Sequence, residues 1–183
     1  MKRERLLRIA AAAILVAAAV LWFLRDDLDS LLPYTARRPA EIPVLSEYGL
    51  CYGDSPGTAA GKLGSSLGER EDLEGGVSVY PCPAVVLDKH AELSLFFHHN
   101  RSLNSVDITI NVDSPEAADA LRLQAETRLR EAYREYGNFI CGKVQDSADG
   151  KRQSMALDYG AEGIFYTLQS FPDRLTIRCE DLR

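Results

Sequence analysis

The sequence predicts an α+β protein: an N-terminal transmembrane helix, then a largely antiparallel sheet with one long helix packed on one face. Three observations predict it. An uncharged run of 16 residues lies near the start of the chain. Short alternating apolar–polar stretches occur both before and after one long stretch with helical spacing. Strands, one helix, then strands is the order of an antiparallel sheet carrying its helix on one side.

The apolar run spans residues 9–24, from Ile9 to Leu24. At 1.5 Å per residue it covers about 24 Å, slightly short of a bilayer core of about 30 Å. Counting from Leu6, with Arg8 snorkelling to the headgroups, brings it to about 28 Å. Trp22 sits where an interfacial aromatic belongs. Lys2, Arg3, Arg5 and Arg8 precede the run, so the positive-inside rule keeps residues 1–8 in the cytoplasm and exports the rest. A cleaved signal peptide needs small residues at −3 and −1 just past the run, and Val20-Leu21-Trp22-Phe23-Leu24 offers none. The expected localisation is therefore the inner membrane, single-pass, with the C-terminal domain extracytoplasmic.

Charge is split along the chain. Residues 1–25 carry +4, which leaves −10 of the total −6 for residues 26–183. So acidic a region excludes nucleic acid as a partner through a general basic surface; the acidity either serves only to keep the domain soluble or suits a protein partner of basic character.

Cys51, Cys82, Cys141 and Cys179 all follow the apolar run. An even set in an oxidising compartment predicts two disulfides, worth about 3–4 kcal/mol each by loop entropy. The expected pairs are Cys51–Cys82 and Cys141–Cys179, the second because both residues share the parity of inward-facing strand positions. The cysteines lie at least 31 residues apart, which does not suit zinc.

Residues 25–47 read as a stalk stopped by Pro33, Pro39 and Pro43, and 48–183 as the exported domain. Residues 53–76, rich in Gly, Ser and charge, read as a long loop with a helical turn near 59–67. Strands are expected at 77–80 and 84–87, interrupted by Pro81 and Pro83, then at 92–99 and 105–112 as a hairpin. The helix is expected over 115–136: Ser114 caps it, Pro115 and Glu116 open it, and Gly137 closes it. Ala118, Leu121, Ala125, Leu129, Ala132, Tyr133 and Tyr136 form its apolar stripe, with Glu126 and Arg130 paired on the wet side. Strands follow at 139–144, 154–159, 163–169 and 175–180.

No catalytic, metal or nucleotide motif stands out, and no cofactor is expected. His98 and His99 would point to opposite faces of a strand. His90 lies in an expected turn without a framing motif. Gly57, Gly61, Gly64 and Lys62 match neither phosphate-loop pattern. The run from Glu69 to Glu74 lacks the alternation of a calcium loop and reads as a solvated loop or an acidic docking loop. The expected function is therefore a membrane-tethered binding or interaction module, such as an envelope-assembly subunit or an immunity-type inhibitor. A structural scaffold acting through its anchor helix is the alternative, ahead of an enzyme with scattered site residues.

Overall fold

The computed structural model describes residues 41–134, 139–158 and 163–182. The expected membrane helix, most of the stalk, and Tyr136 and Gly137 lie outside them. No described helix is long and apolar enough to cross a membrane.

The described residues build a nine-stranded antiparallel sheet with one long helix on it. The strands are β1 (Glu71–Asp72), β2 (Val77–Val86), β3 (Lys89–His98), β4 (Ser102–Asn111), β5 (Phe139–Cys141), β6 (Gln145–Ser147), β7 (Gly150–Asp158), β8 (Gly163–Ser170) and β9 (Arg174–Asp181). Their order across the sheet is β1-β2-β3-β4-β9-β8-β7-β5, with β6 also paired to β7. The helices are α1 (Pro56–Leu63) and α2 (Pro115–Ala132).

The prolines do not interrupt β2. It runs unbroken past Pro81 and Pro83, paired to β3 along its whole length. The reason is its place in the sheet. β1 covers only Ser78 and Val79, so the rest of β2 is an outer edge. The Pro81 carbonyl points outward and accepts from Gly68 N at 2.7 Å, so the missing N–H of Pro81 also faces away from β3. Leu87 and Asp88 join β2 to β3 with φ of 53° and 60°, the sign a two-residue type I′ turn requires at both positions.

Alternation sorts the faces. Leu93, Leu95 and Phe97 of β3, Val106, Ile108 and Ile110 of β4, and Leu175, Ile177 and Cys179 of β9 turn to the core. Each such aliphatic or aromatic side chain contributes about 1.5–3 kcal/mol by leaving water. α2 covers this face over β8 and β9. Its Ser114 side chain accepts from Ala117 N, and Pro115 opens the first turn, as the sequence indicates. The helix ends four residues early, at Ala132, and Ala132 is exposed. Tyr133 caps it and is buried.

The segment before β1 covers the other half of the core. Residues 41–47 belong to the folded unit and not to a stalk: Ile42, Val44 and Leu45 are buried, and Pro43–Tyr48 forms a 3-10 helix against α2. The expected loop at 53–76 is largely built. α1 is capped by Ser55 and closed by Gly64 at φ 64°, and buries Ala59 and Leu63. Gly53 N donates to Leu103 O, and Leu103 N to Asp54 O, both at 2.8 Å, which ties this segment to β4.

The four cysteines are free thiols. The register explains why Cys141 and Cys179 do not pair. Cys141 is opposite Met155, Met155 opposite Tyr166, and Tyr166 opposite Cys179. Three strand spacings amount to about 14 Å, whereas a disulfide needs Cα atoms within about 7 Å. Cys51 and Cys82 keep different company: Cys51 lies by Asp54 and Lys62, and Cys82 by Ser65 at 3.2 Å.

Candidate functional site

The groups the sequence singles out do not converge. His90 and His98 are exposed ends of β3. His99 leaves the strand at φ 49°, so alternation fails there, and its ring swings to 4.1 Å from that of His98 instead of pointing to the opposite face. Among the described residues no group of three or more His, Cys, Asp or Glu is placed to hold a metal ion. Gly57 and Gly61 lie inside α1, and Lys62 is bound to Asp54 at 2.8 Å. The acidic run forms the exposed rim of the sheet at β1, where Asp72 takes bonds from Arg70 and Ser78 at 2.6 and 2.7 Å. Charge on a sheet edge discourages strand addition by other chains.

Two other regions concentrate polar groups. The first is the seam between α2 and the β7–β8 half of the sheet. Helical spacing puts Asp119, Arg122, Glu126 and Arg130 on one flank of α2. Arg122, 8% exposed, donates to Gln153 Oε1 at 2.7 Å and lies 3.4 Å from Asp119 and 3.5 Å from Glu126. Arg130 donates to Glu126 at 2.8 Å and to Cys141 Sγ at 2.8 Å. The Glu126–Arg130 pair exists, but Glu126 is buried and not on the wet side.

Beside this network a cleft of about 220 Å³ opens between the start of α2 and the β7–β8 end. There Asp119 binds Lys151 and accepts from Ser170 Oγ at 2.9 Å. Burial pushes the Asp119 carboxyl up, yet Lys151, Ser170 and Arg122 together outweigh it and hold it below its ordinary value. Burial likewise opposes Arg130, Gln153 and Cys141 at Glu126, and the partners prevail there too. At Cys141 burial wins over the Arg130 guanidinium, so the thiol is raised and stays protonated at neutral pH. A protonated thiol and a Ser170 hydroxyl that donates to a depressed carboxylate are poor nucleophiles. The seam is a satisfied network that fixes the helix on the sheet.

The second region is the face of the sheet turned away from α2. One cross-strand row on it runs Phe96, Ser105, Glu180, Phe165, Ala156, Ile140. The next row holds Asp107 and Arg178, joined by two bonds of 2.8 and 3.1 Å. Phe165 and Ile140 are 38% and 57% exposed. β4 carries a bulge here: the register shifts between Phe96 and Phe97, leaving Asn104 and Ser105 between core-facing Leu103 and Val106. Asn104 Oδ1 and Ser105 Oγ are buried without a hydrogen-bond partner among the described residues. The sequence holds a signal of this bulge: Leu103 and Val106 stand three apart where strand alternation requires two.

Compared with protein-family models, curated proteins and solved structures, the chain matches none.

Proposed function

We propose that the chain is a membrane-tethered, extracytoplasmic binding module that engages a protein partner through the face of its sheet opposite α2. The observation that carries this reading is that face. Its aromatic and aliphatic side chains at Phe165 and Ile140 remain exposed, and polar atoms at its bulge have no partner among the described residues. On the helix side, in contrast, Asp119, Arg122, Glu126 and Arg130 are paired with one another. Membrane attachment and export rest on the apolar run at 9–24, the four basic residues before it, and the −10 charge after it. The cysteines no longer add support, since all four are free.

The test is site-directed photo-crosslinking of the full-length protein in its own membranes. A photoreactive residue at Thr167, on the face opposite α2, is expected to give one stoichiometric protein adduct. The same residue at Leu123, 57% exposed on α2, is expected to give none. Equal adducts from both positions, or none from Thr167, overturn the reading. If an unrelated apolar helix in place of 9–24 removes the adduct while the domain stays folded, a scaffold acting through its anchor replaces it.

A further inference from the structure

We infer that the bulge at Asn104–Ser105 is the docking point for a cationic, donor-rich side chain, an arginine or lysine, of a protein partner; this rests on the binding-module reading above and gives that module its specificity. The bulge puts Ser105 in register with Glu180 on β9, on the face away from the core. Ser105 is 8% exposed, and its hydroxyl has no hydrogen-bond partner among the described residues. The Asn104 side-chain amide oxygen, Oδ1, beside it is in the same condition. Buried polar atoms in native proteins are nearly always satisfied, so two adjacent exceptions on an otherwise solvated face point to an absent partner.

The third group is the Glu180 carboxylate. Its side chain is 35% exposed and holds only a loose contact of 3.7 Å to Arg178 among the described residues. Arg178 is committed to Asp107 by its two shorter bonds. The free capacity here is mostly of one kind: a carboxylate and an amide oxygen that only accept, and a hydroxyl that accepts and can donate once. A guanidinium or ammonium supplies donors and charge to match. Phe96 next to Ser105 and Phe165 next to Glu180 flank the point with aromatic rings, which attract cations. Charge complementarity holds at long range as well, because residues 26–183 carry −10. A neutral oligosaccharide fits less well, since it needs several donors from the protein, and here only the Ser105 hydroxyl supplies one while the guanidinium of Arg178 in the adjoining row is taken.

Fluorescence anisotropy of the full-length protein in detergent tests this, with a labelled (Arg-Thr)4 peptide, a (Gln-Thr)4 peptide and cellohexaose as probes. The arginine peptide is expected to bind and to weaken with added salt. Glu180→Gln keeps the side chain's shape and is expected to lower its affinity at least about tenfold. Phe165→Thr, at an exposed position, serves as a second variant and is expected to lower it too. Glu69→Gln with Glu74→Gln, on the acidic rim, should leave binding unchanged. Equal binding of the glutamine peptide, preference for cellohexaose, or loss only in the rim variant overturns the docking point. If the Thr167 adduct survives in Glu180→Gln, the binding module stands and the docking point is wrong; if both adduct and arginine peptide fail to bind, both fall.

Discussion

Cys141 and Cys179 occupy one cross-strand row of the sheet, with Met155 and Tyr166 standing between them. Shared parity is what made them look like a pair, and shared parity is what the structure confirms. Strand order, however, puts β7 and β8 between them. Sequence parity reports the face of a residue and is silent about its strand's neighbours.

The thiols should therefore react by exposure. Without reductant, Cys51 and Cys141, both half-buried, are expected to take a maleimide label in the native protein. Cys82 and Cys179, both buried, should label only after unfolding. Cys179 is fully buried, and burial pushes its thiol far up, so it behaves as a small apolar side chain. Non-reducing peptide mapping that recovers a Cys141–Cys179 link would contradict this register.

What was legible in the sequence was local. The start of α2 follows from Ser114 and Pro115, which act within one turn. The β3–β4 hairpin and β9 follow from two-residue alternation. What was not legible depends on distant neighbours. Pro81 and Pro83 are compatible with a strand only because β2 lies at an edge. Arg122 and Glu126 look like solvated helix residues until Gln153, 31 positions from Arg122, comes to meet them. The bulge left a trace in the Leu103–Val106 spacing, but its unpartnered oxygens could be known only from the packed sheet.

The seam makes stability depend on acid. Asp119 and Glu126 are held below their ordinary values, so each contributes stability that is present above its unfolded pKa and lost as pH falls through its folded one. Stability should stay level from neutral pH down to about 5 and decline below about 4.5, where free carboxyls protonate. Urea midpoints across pH check this. In Glu126→Gln the decline should be shallower. At neutral pH the same variant should lose about 2 kcal/mol, because Arg122 keeps Asp119 and Gln153 but Arg130 loses its main partner.

Three buried phenols meet in the core. Tyr133 and Tyr166 hydroxyls hydrogen-bond to each other. Among the described residues the Tyr52 hydroxyl has no partner in hydrogen-bonding geometry. Burial pushes its phenol well above the ordinary value, Cys179 and Tyr133 add to this, and the nearby Tyr166 offsets only part of it. Removing an unsatisfied buried hydroxyl recovers its desolvation cost, so Tyr52→Phe should raise stability by about 1 kcal/mol. Tyr166→Phe, which strips a bond from Tyr133, should lower it by a similar amount. A lower urea midpoint for Tyr52→Phe would mean that this hydroxyl has a partner after all.

Gly150 opens β7 at φ 145°, and a Cβ built there would lie 1.8 Å from the Ser170 carbonyl oxygen. Both the backbone conformation and the approach of β8 demand glycine. The position also fixes Lys151, whose ammonium binds Asp119, and Ser170, which bonds the same carboxylate. Gly150→Ala cannot be absorbed by a side-chain movement, because the clash is with backbone. It should cost at least about 3 kcal/mol, the range of strained backbone and overpacked sites combined. The loss should be local before it is global. Hydrogen exchange is expected to accelerate first at the β7–β8 end and the opening turn of α2, while β3 and β4, which lie beyond β9 from β8, keep their protection. Uniform acceleration across all strands would show that this corner and the far half of the sheet open together.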